Sequence, residues 1–280
     1  MRWPQSPEMT VQCVMAACTR WLTKHHHTDL LTRLPELVEL EERYRAASEA
    51  GQLLALLTAE LPSQRIDADK KLLGDTYDKA FVGGGGRKLY DAIKAAATFG
   101  CSICGAGQVS TLDHHAPKAV FPLLALTPLN LVPACGPCNQ GKGNSFDPDP
   151  AKEPFHPYFD DLGLERWLYA EIQVVAGGPV VEFSARPPQD WPAVKAQRLI
   201  HHVARLRLGT KLRAETARHL AGRRRMDMDT LGSVGSGGLK AAILEEAGSY
   251  GEFDPNDWMT ALLYGLADCD WYLTGGMKGI

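Results

Sequence analysis

From Asp29 to Leu61 apolar residues return every three or four positions, at Leu30, Leu34, Leu37, Leu40 and Tyr44, with Glu and Arg between them. That spacing lays one apolar stripe along a helix, and Pro62 is placed to end it. A shorter run from Thr10 to Leu22 also reads as helix, and Leu89, Ile93 and Ala97 line one side of a helix predicted from Arg87 to about Phe99, stopped by Gly100. The period then changes. Val109–Leu112 and the stretch near Leu126–Val132 are short, apolar and bounded by turn residues, which predicts a two-stranded hairpin followed by a helix starting at Asn139. A second hairpin is predicted from Tyr169–Val175 and Val180–Ser184, joined through Ala-Gly-Gly-Pro. Helical spacing resumes from Asp190 to about Leu208 and from Gly209 to about Leu220, with Gly222 as its end, and again in Leu239–Ala247 and Trp258–Trp271.

These patterns divide the chain into a helical region over 1–86, a segment over 87–160 that carries the candidate chemistry, a hairpin with basic helices over 161–228, and a linker with a C-terminal helical segment over 229–280. The linker is expected where Asp229–Gly238 turns rich in Gly and Ser. Gly83–Gly86 lacks the Lys-Ser/Thr ending of a phosphate loop and follows no strand, so a flexible joint is expected there. His25–His27 are adjacent, and neighbours on a helix point in different directions, so they make a poor metal tract. Phe155-His-Pro-Tyr-Phe-Asp160 reads as aromatic packing rather than as a substrate contact.

Composition narrows the class. A chain of 280 residues that is 45% hydrophobic and 22% charged is an ordinary globular protein with room for a sizeable core. No apolar run reaches membrane-spanning length, and a cytoplasmic protein is expected. Of seven cysteines, Cys13, Cys18 and Cys269 are scattered, and no disulfide framework is expected. The net charge of −3 hides an uneven distribution: between Lys195 and Arg225 ten basic residues face the single acid Glu215. Arg198, Arg205 and Arg213 in that segment are candidate contacts to a nucleic-acid backbone.

The other four cysteines carry the strongest signal. Cys101-Ser-Ile-Cys104 and Cys135-Gly-Pro-Cys138 are two short hooks that together supply the four thiolates preferred by tetrahedral structural zinc. Between and after them lie Asp113-His114-His115-Ala-Pro117-Lys118, Asn130 and Asn139-Gln-Gly-Lys142, which a plain zinc staple does not need. Cutting a phosphodiester takes an activated water, a cation and stabilisation of the departing oxygen. His114 suits a general base, Asp113 and Asn139 offer oxygen ligands for Mg²⁺ or Mn²⁺, and Asn130 is placed to hold the loop that aims His114. Lys118 and Lys142 are candidate phosphate contacts.

In order, Cys-x-x-Cys, Leu-Asp-His-x-x-Pro-Lys, Asn-Leu-Val-Pro and Cys-x-x-Cys-Asn-x-x-Lys resemble the HNH endonuclease family over about Cys101 to Lys142. The resemblance implies an α+β chain: a β-β-α metal finger, stapled by a four-cysteine zinc site, within a mostly helical protein that also has a small β-hairpin. It implies His114 as base, Asn130 as the residue that orients the loop, and Asp113 with Asn139 as ligands of the catalytic cation. His115 adds a second imidazole, and the Pro117-Lys118 register selects His114. The aromatic segment and later helices resemble bacterial HNH proteins of anti-phage systems such as the Septu type, which implies a defence effector acting on DNA with an ATPase partner. The competing reading is a zinc-stapled nucleic-acid-binding or assembly subunit with no activity of its own.

Overall fold

The computed structural model describes residues 4–19, 24–59, 66–175 and 178–279. It is mostly helical, with two separate two-stranded antiparallel sheets. The chain divides into two compact units, one running to Ile103 and resuming from Gly107 to Asp161, the other holding Cys104–Ala106 and the residues from Leu162 onward. No described helix is long and apolar enough to cross a membrane.

In the first unit, α1 (Val11–Thr19) and α2 (Lys24–Glu49) pack together. The predicted stripe faces inward, since Leu30, Leu37, Leu40 and Tyr44 are all buried and Leu34 is partly so. Glu41 turns its carboxylate onto the N–H of Val11, at 2.9 and 3.1 Å, and so caps the start of α1. Gly51, at φ +65°, ends α2 in the left-handed conformation that suits a helix terminus. Next come α3 (Leu53–Ala59), with Leu53 and Leu57 buried, and α4 (Ile66–Asp75). Pro62, expected to end the helical stretch, lies outside the described residues.

A π-helix over Thr76–Val82 continues α4 and buries Tyr77 and Phe81. The glycines that follow form a packed corner, which corrects the expected flexible joint. A Cβ on Gly86 would lie 2.6 Å from Phe81 Cδ2, 2.8 Å from Phe81 Cα and 3.1 Å from Cys18 Sγ. Glycine is needed here for close approach of the π-helix to α5 (Arg87–Ala95), which packs against it. Gly86→Ala should therefore cost about 1–3 kcal/mol, read as a lower urea midpoint; an unchanged midpoint would show that the corner yields freely. The helix α5 stops short of Phe99, which is 57% exposed, and Gly100 takes φ +104°.

The first sheet pairs β1 (Thr111–His114) with β2 (Leu131–Ala134), in a register that sets Asp113 opposite Val132 and His114 opposite Leu131. Asp113 and His114 thus lie on the strand itself, a step later than the expected Val109–Leu112. The helix α6 (Gly136–Lys142) begins before Asn139: Cys135 is its N-cap and Pro137 sits in its first turn.

In the second unit, β3 (Leu168–Val175) pairs with β4 (Gly178–Ala185) as the period-2 pattern predicts. α7 (Ala193–Arg205) precedes α8 (Leu208–Phe253), and α9 (Trp258–Ala267) lies on β3 so closely that a Cβ on Gly265 would meet Ala170 O at 2.5 Å. The Gly- and Ser-rich stretch is not a linker. It is helical on both sides of one break at Gly235, φ 72° and ψ −177°. Arg223 and Glu246 meet at 3.1 Å. At about 1.5 Å of rise per residue a straight helix would hold them roughly 35 Å apart, so the two arms of α8 fold back side by side. Gly222 and Arg223–Arg225 lie within the first arm, not at a helix end and loop, and Arg223 is buried against Asp227 at 2.6 Å. The short α10 (Asp270–Leu273) adds Tyr272, whose hydroxyl donates to the same Asp227.

Candidate active site and metal centre

The four hook cysteines are buried, and their Sγ atoms lie within 4.8 Å of one another. A tetrahedral zinc with bonds of about 2.3 Å spaces its sulfurs about 3.8 Å apart, so the cluster fits such an ion with small adjustment. Cys101 Sγ also accepts the N–H of Ile103 at 3.4 Å and of Cys135 at 3.2 Å, the polarisation a thiolate ligand prefers. Four buried cysteines so close together can hold a structural metal such as zinc. Its position matters, because the second hook opens α6 and the first bonds to β2, Ser102 N–H donating to Pro133 O at 3.1 Å.

The loop between β1 and β2 is held by Asn130, which is fully buried. Its Oδ1 accepts the Ala116 N–H at 2.7 Å, and its Nδ2 donates to Ala116 O at 3.0 Å and Leu124 O at 3.1 Å. Asn130 in turn is held from α2. His156 Nδ1 accepts the Tyr158 N–H at 3.2 Å, which leaves the proton on Nε2 to be donated to the Tyr44 hydroxyl at 3.0 Å; Tyr44 then donates to Asn130 Oδ1 at 3.3 Å. The aromatic segment is therefore interior packing and support, with His156 only 2% exposed. His115 belongs to this side as well, its ring 4.1 Å from that of His156.

His114 faces elsewhere. A cavity of about 250 Å³ is walled by Asp113, His114, Lys118, Asn139, Asn144 and Tyr77, among others. His114 Nε2 lies 3.0 Å from the Ala125 carbonyl, which can only accept, so Nε2 carries the proton and Nδ1 is the basic nitrogen. Burial, helped by the charges of Lys118 and Lys142 and partly opposed by the Ala125 bond, lowers its pKa to about 3 and keeps the ring neutral. The Tyr77 ring packs against it at a tilt of 59°, with ring centroids 4.5 Å apart. Lys118 sits 4.4 Å over the Tyr77 ring and pairs with Asp78 at 2.8 Å.

Lys142, expected as a phosphate contact, is instead buried. Its ammonium lies 3.0 Å from Asp113 Oδ2 and 3.3 Å from Oδ1, and donates to the His114 carbonyl. The end of α6 is thus tied to β1 at the two residues expected to do the chemistry. Asn139 is half-buried on the cavity wall, and its carboxamide makes no hydrogen bond to the described residues.

The expected basic surface is broken up. Arg213 lies on β4, its Nε donating to Val181 O at 3.2 Å and its guanidinium pairing with Glu182. Arg223 is consumed by Asp227 and Glu246. Arg198 and Arg205 are half-buried on α7. The residues that no motif marked are Tyr44 and Tyr77. Both come from the helical region before the hooks, and each reads in the sequence as one more apolar position on a helix.

The chain is similar to Protein ea31 of Escherichia phage lambda, with 28% identity over 232 residues that cover 77% of this chain and 76% of that one. No protein-family model matches it. No solved structure does either.

Proposed function

We propose that this chain is a metal-dependent endonuclease of the HNH type, hydrolysing phosphodiester bonds in DNA. The observation that carries the reading is the convergence of Asp113, His114 and Asn139, from β1 and α6, on one cavity in which the tautomer of His114 leaves Nδ1 basic. In this reading β1, β2 and α6 form the β-β-α finger. His114 takes the proton from the attacking water through Nδ1, the nitrogen that the Ala125 bond leaves free to accept. Asn130 keeps the loop carrying Ala125 and Ala116 fixed, and with it the hydrogen bond that aims the ring. Lys118 brings positive charge to the cavity wall.

Asp113 and Asn139 would hold a divalent cation, and the fit rests on their donor chemistry: one carboxylate and one uncommitted carboxamide facing a polar cavity. Such a cation neutralises charge on the phosphoryl group and on the departing oxygen. Asp113 is shared with Lys142, which offsets part of its charge and favours the inactive binding or assembly reading to the extent that the ammonium satisfies the carboxylate alone. Metal dependence separates the two. Purified protein should nick plasmid DNA with Mg²⁺ or Mn²⁺ and stop when the cation is withheld with zinc still bound. No cutting of plasmid, linear duplex, single strand or RNA under any of these conditions would favour the binding subunit. The resemblance to anti-phage proteins extends the proposal to a defence effector whose activity rises with an ATPase partner. We assign backbone contacts to Lys118, which is half-buried beside Asp78, and to Arg198 and Arg205; Lys142 is buried on Asp113 and Arg213 is held by Glu182 and the Val181 carbonyl.

A further inference from the structure

We propose that Tyr77 is a substrate-binding residue whose hydroxyl donates a hydrogen bond to a phosphodiester oxygen in the cavity beside His114, so that the helical region before the hooks supplies part of the site. The inference deepens the nuclease reading and rests on it for the identity of the ligand. Tyr77 lines the same cavity as Asp113, His114, Lys118 and Asn139. It is only 6% exposed, yet its hydroxyl makes no hydrogen bond to the described residues. Nor is that hydroxyl among the sealed-off polar atoms that lack a partner. A nearly buried phenol with an unpartnered oxygen that keeps access to solvent therefore opens on the cavity. Interior hydroxyls of tyrosine are ordinarily satisfied, as those of Tyr44, Tyr158 and Tyr272 are here.

The surroundings select the ligand. Burial pushes the Tyr77 phenol well above its usual range, with Tyr90, Asp78 and Asp113 acting in the same direction, so the group is a donor and not a base. Next to it is the Lys118 ammonium, 4.4 Å over its ring and paired with Asp78, and Asn139 and Asn144 line the same cavity. With the Asp113 carboxylate offset by Lys142, a cation and neutral donors suit a singly charged phosphodiester. The element that carries Tyr77 is fixed for the task. The π-helix of Thr76–Val82 is a local widening of a kind common at functional sites, and the corner at Gly86 grips Phe81 one turn beyond.

Tyr77→Phe tests this directly, because it keeps the ring that packs on His114 and under Lys118 and removes only the hydroxyl. The probe is the dinucleotide d(TpT), with its single phosphodiester, titrated by NMR into the full-length zinc-loaded protein without Mg²⁺ or Mn²⁺. The parent should bind, and the variant should bind about tenfold or more weakly, since the lost bond is to a charged acceptor. Zinc content and circular dichroism should match the parent's. Equal affinity in parent and variant overturns the proposal, and so does a parent that does not bind. Plasmid cleavage with Mn²⁺ is scored separately. A parent that leaves plasmid intact while the hydroxyl still governs d(TpT) binding defeats the nuclease reading and keeps the phosphodiester site.

Discussion

His114→Ala should leave zinc content, helicity and DNA binding near those of the parent and lower cleavage by about two to four orders of magnitude, the range expected when a general base is removed. The substitution has a structural cost, because the ring is buried against Tyr77 and bonds to Ala125 O. An acceptor left without its donor costs about 1–3 kcal/mol, a fraction of the stability of an ordinary domain. A modest fall in melting temperature with a large fall in rate is thus the expected signature. His115→Ala should give the reverse. Its ring packs on His156, on the side of the Asn130 and Tyr44 network, so stability suffers more than the basicity of the site. If His114→Ala cuts as fast as the parent on the same preparations, the assignment of the base is wrong and His115 becomes the next group to test.

Cys135→Ser should abolish zinc binding and unfold the β1, β2 and α6 segment. The sheet there has four residue pairs, too few to persist on their own. Structural zinc contributes about 10–16 kcal/mol of apparent binding energy in small zinc-folded peptides, as large as the whole stability of a typical domain, at about 5–15 kcal/mol. Cys135 also stands where α6 begins, so loss of the metal frees the start of the helix on which both Asn139 and Lys142 depend for position. Hydrogen exchange in residues 101–142 should rise to nearly unprotected levels, while α8 and α9, in the other unit, exchange as before. A Cys135→Ser protein that retains stoichiometric zinc and the protection of β1 would show that the Cys135 thiolate is not needed to hold the metal or the fold.

The places where the candidate groups gather were more legible in the sequence than the packing. Cys101, Cys104, Cys135 and Cys138 could be paired from spacing alone, because a tight hook brings two sulfurs together whatever surrounds it, and the structure does gather them. Asp113, His114 and Asn139 reach one cavity for a similar reason: β2 pairs with β1 in a fixed register and runs straight into α6, which leaves little freedom between them. Tyr44 and Tyr77 could not be found that way. They lie far from the hooks along the chain, and period-3.6 spacing does not tell a buried tyrosine that packs from one that also serves a site. Glycine misled for a physical reason. The same residue permits flexibility, close approach and chain reversal, so Gly86 and Gly235 gave the same signal for a packed corner and a helical hairpin as for a joint and a linker. Charge counting from Lys195 to Arg225 overlooked the acids that answer Arg213 and Arg223, which are Glu182 on β4, Asp227 just past the counted stretch and Glu246 on the returning arm.

The hold of α2 on Asn130 and the place of the π-helix in the cavity wall bear on how portable this site is. A fragment cut at the edges of the recognisable motif, near Arg87 and Asp160, would keep all four hook cysteines, Asp113, His114 and Asn139. It would lack Tyr77, which forms one wall of the cavity, and Tyr44, through which His156 steadies Asn130. Such a graft would carry the reactive groups without the surface that shapes access to them. The motif is therefore not a self-sufficient cassette, and transplanting the site into another scaffold means moving the preceding helices with it.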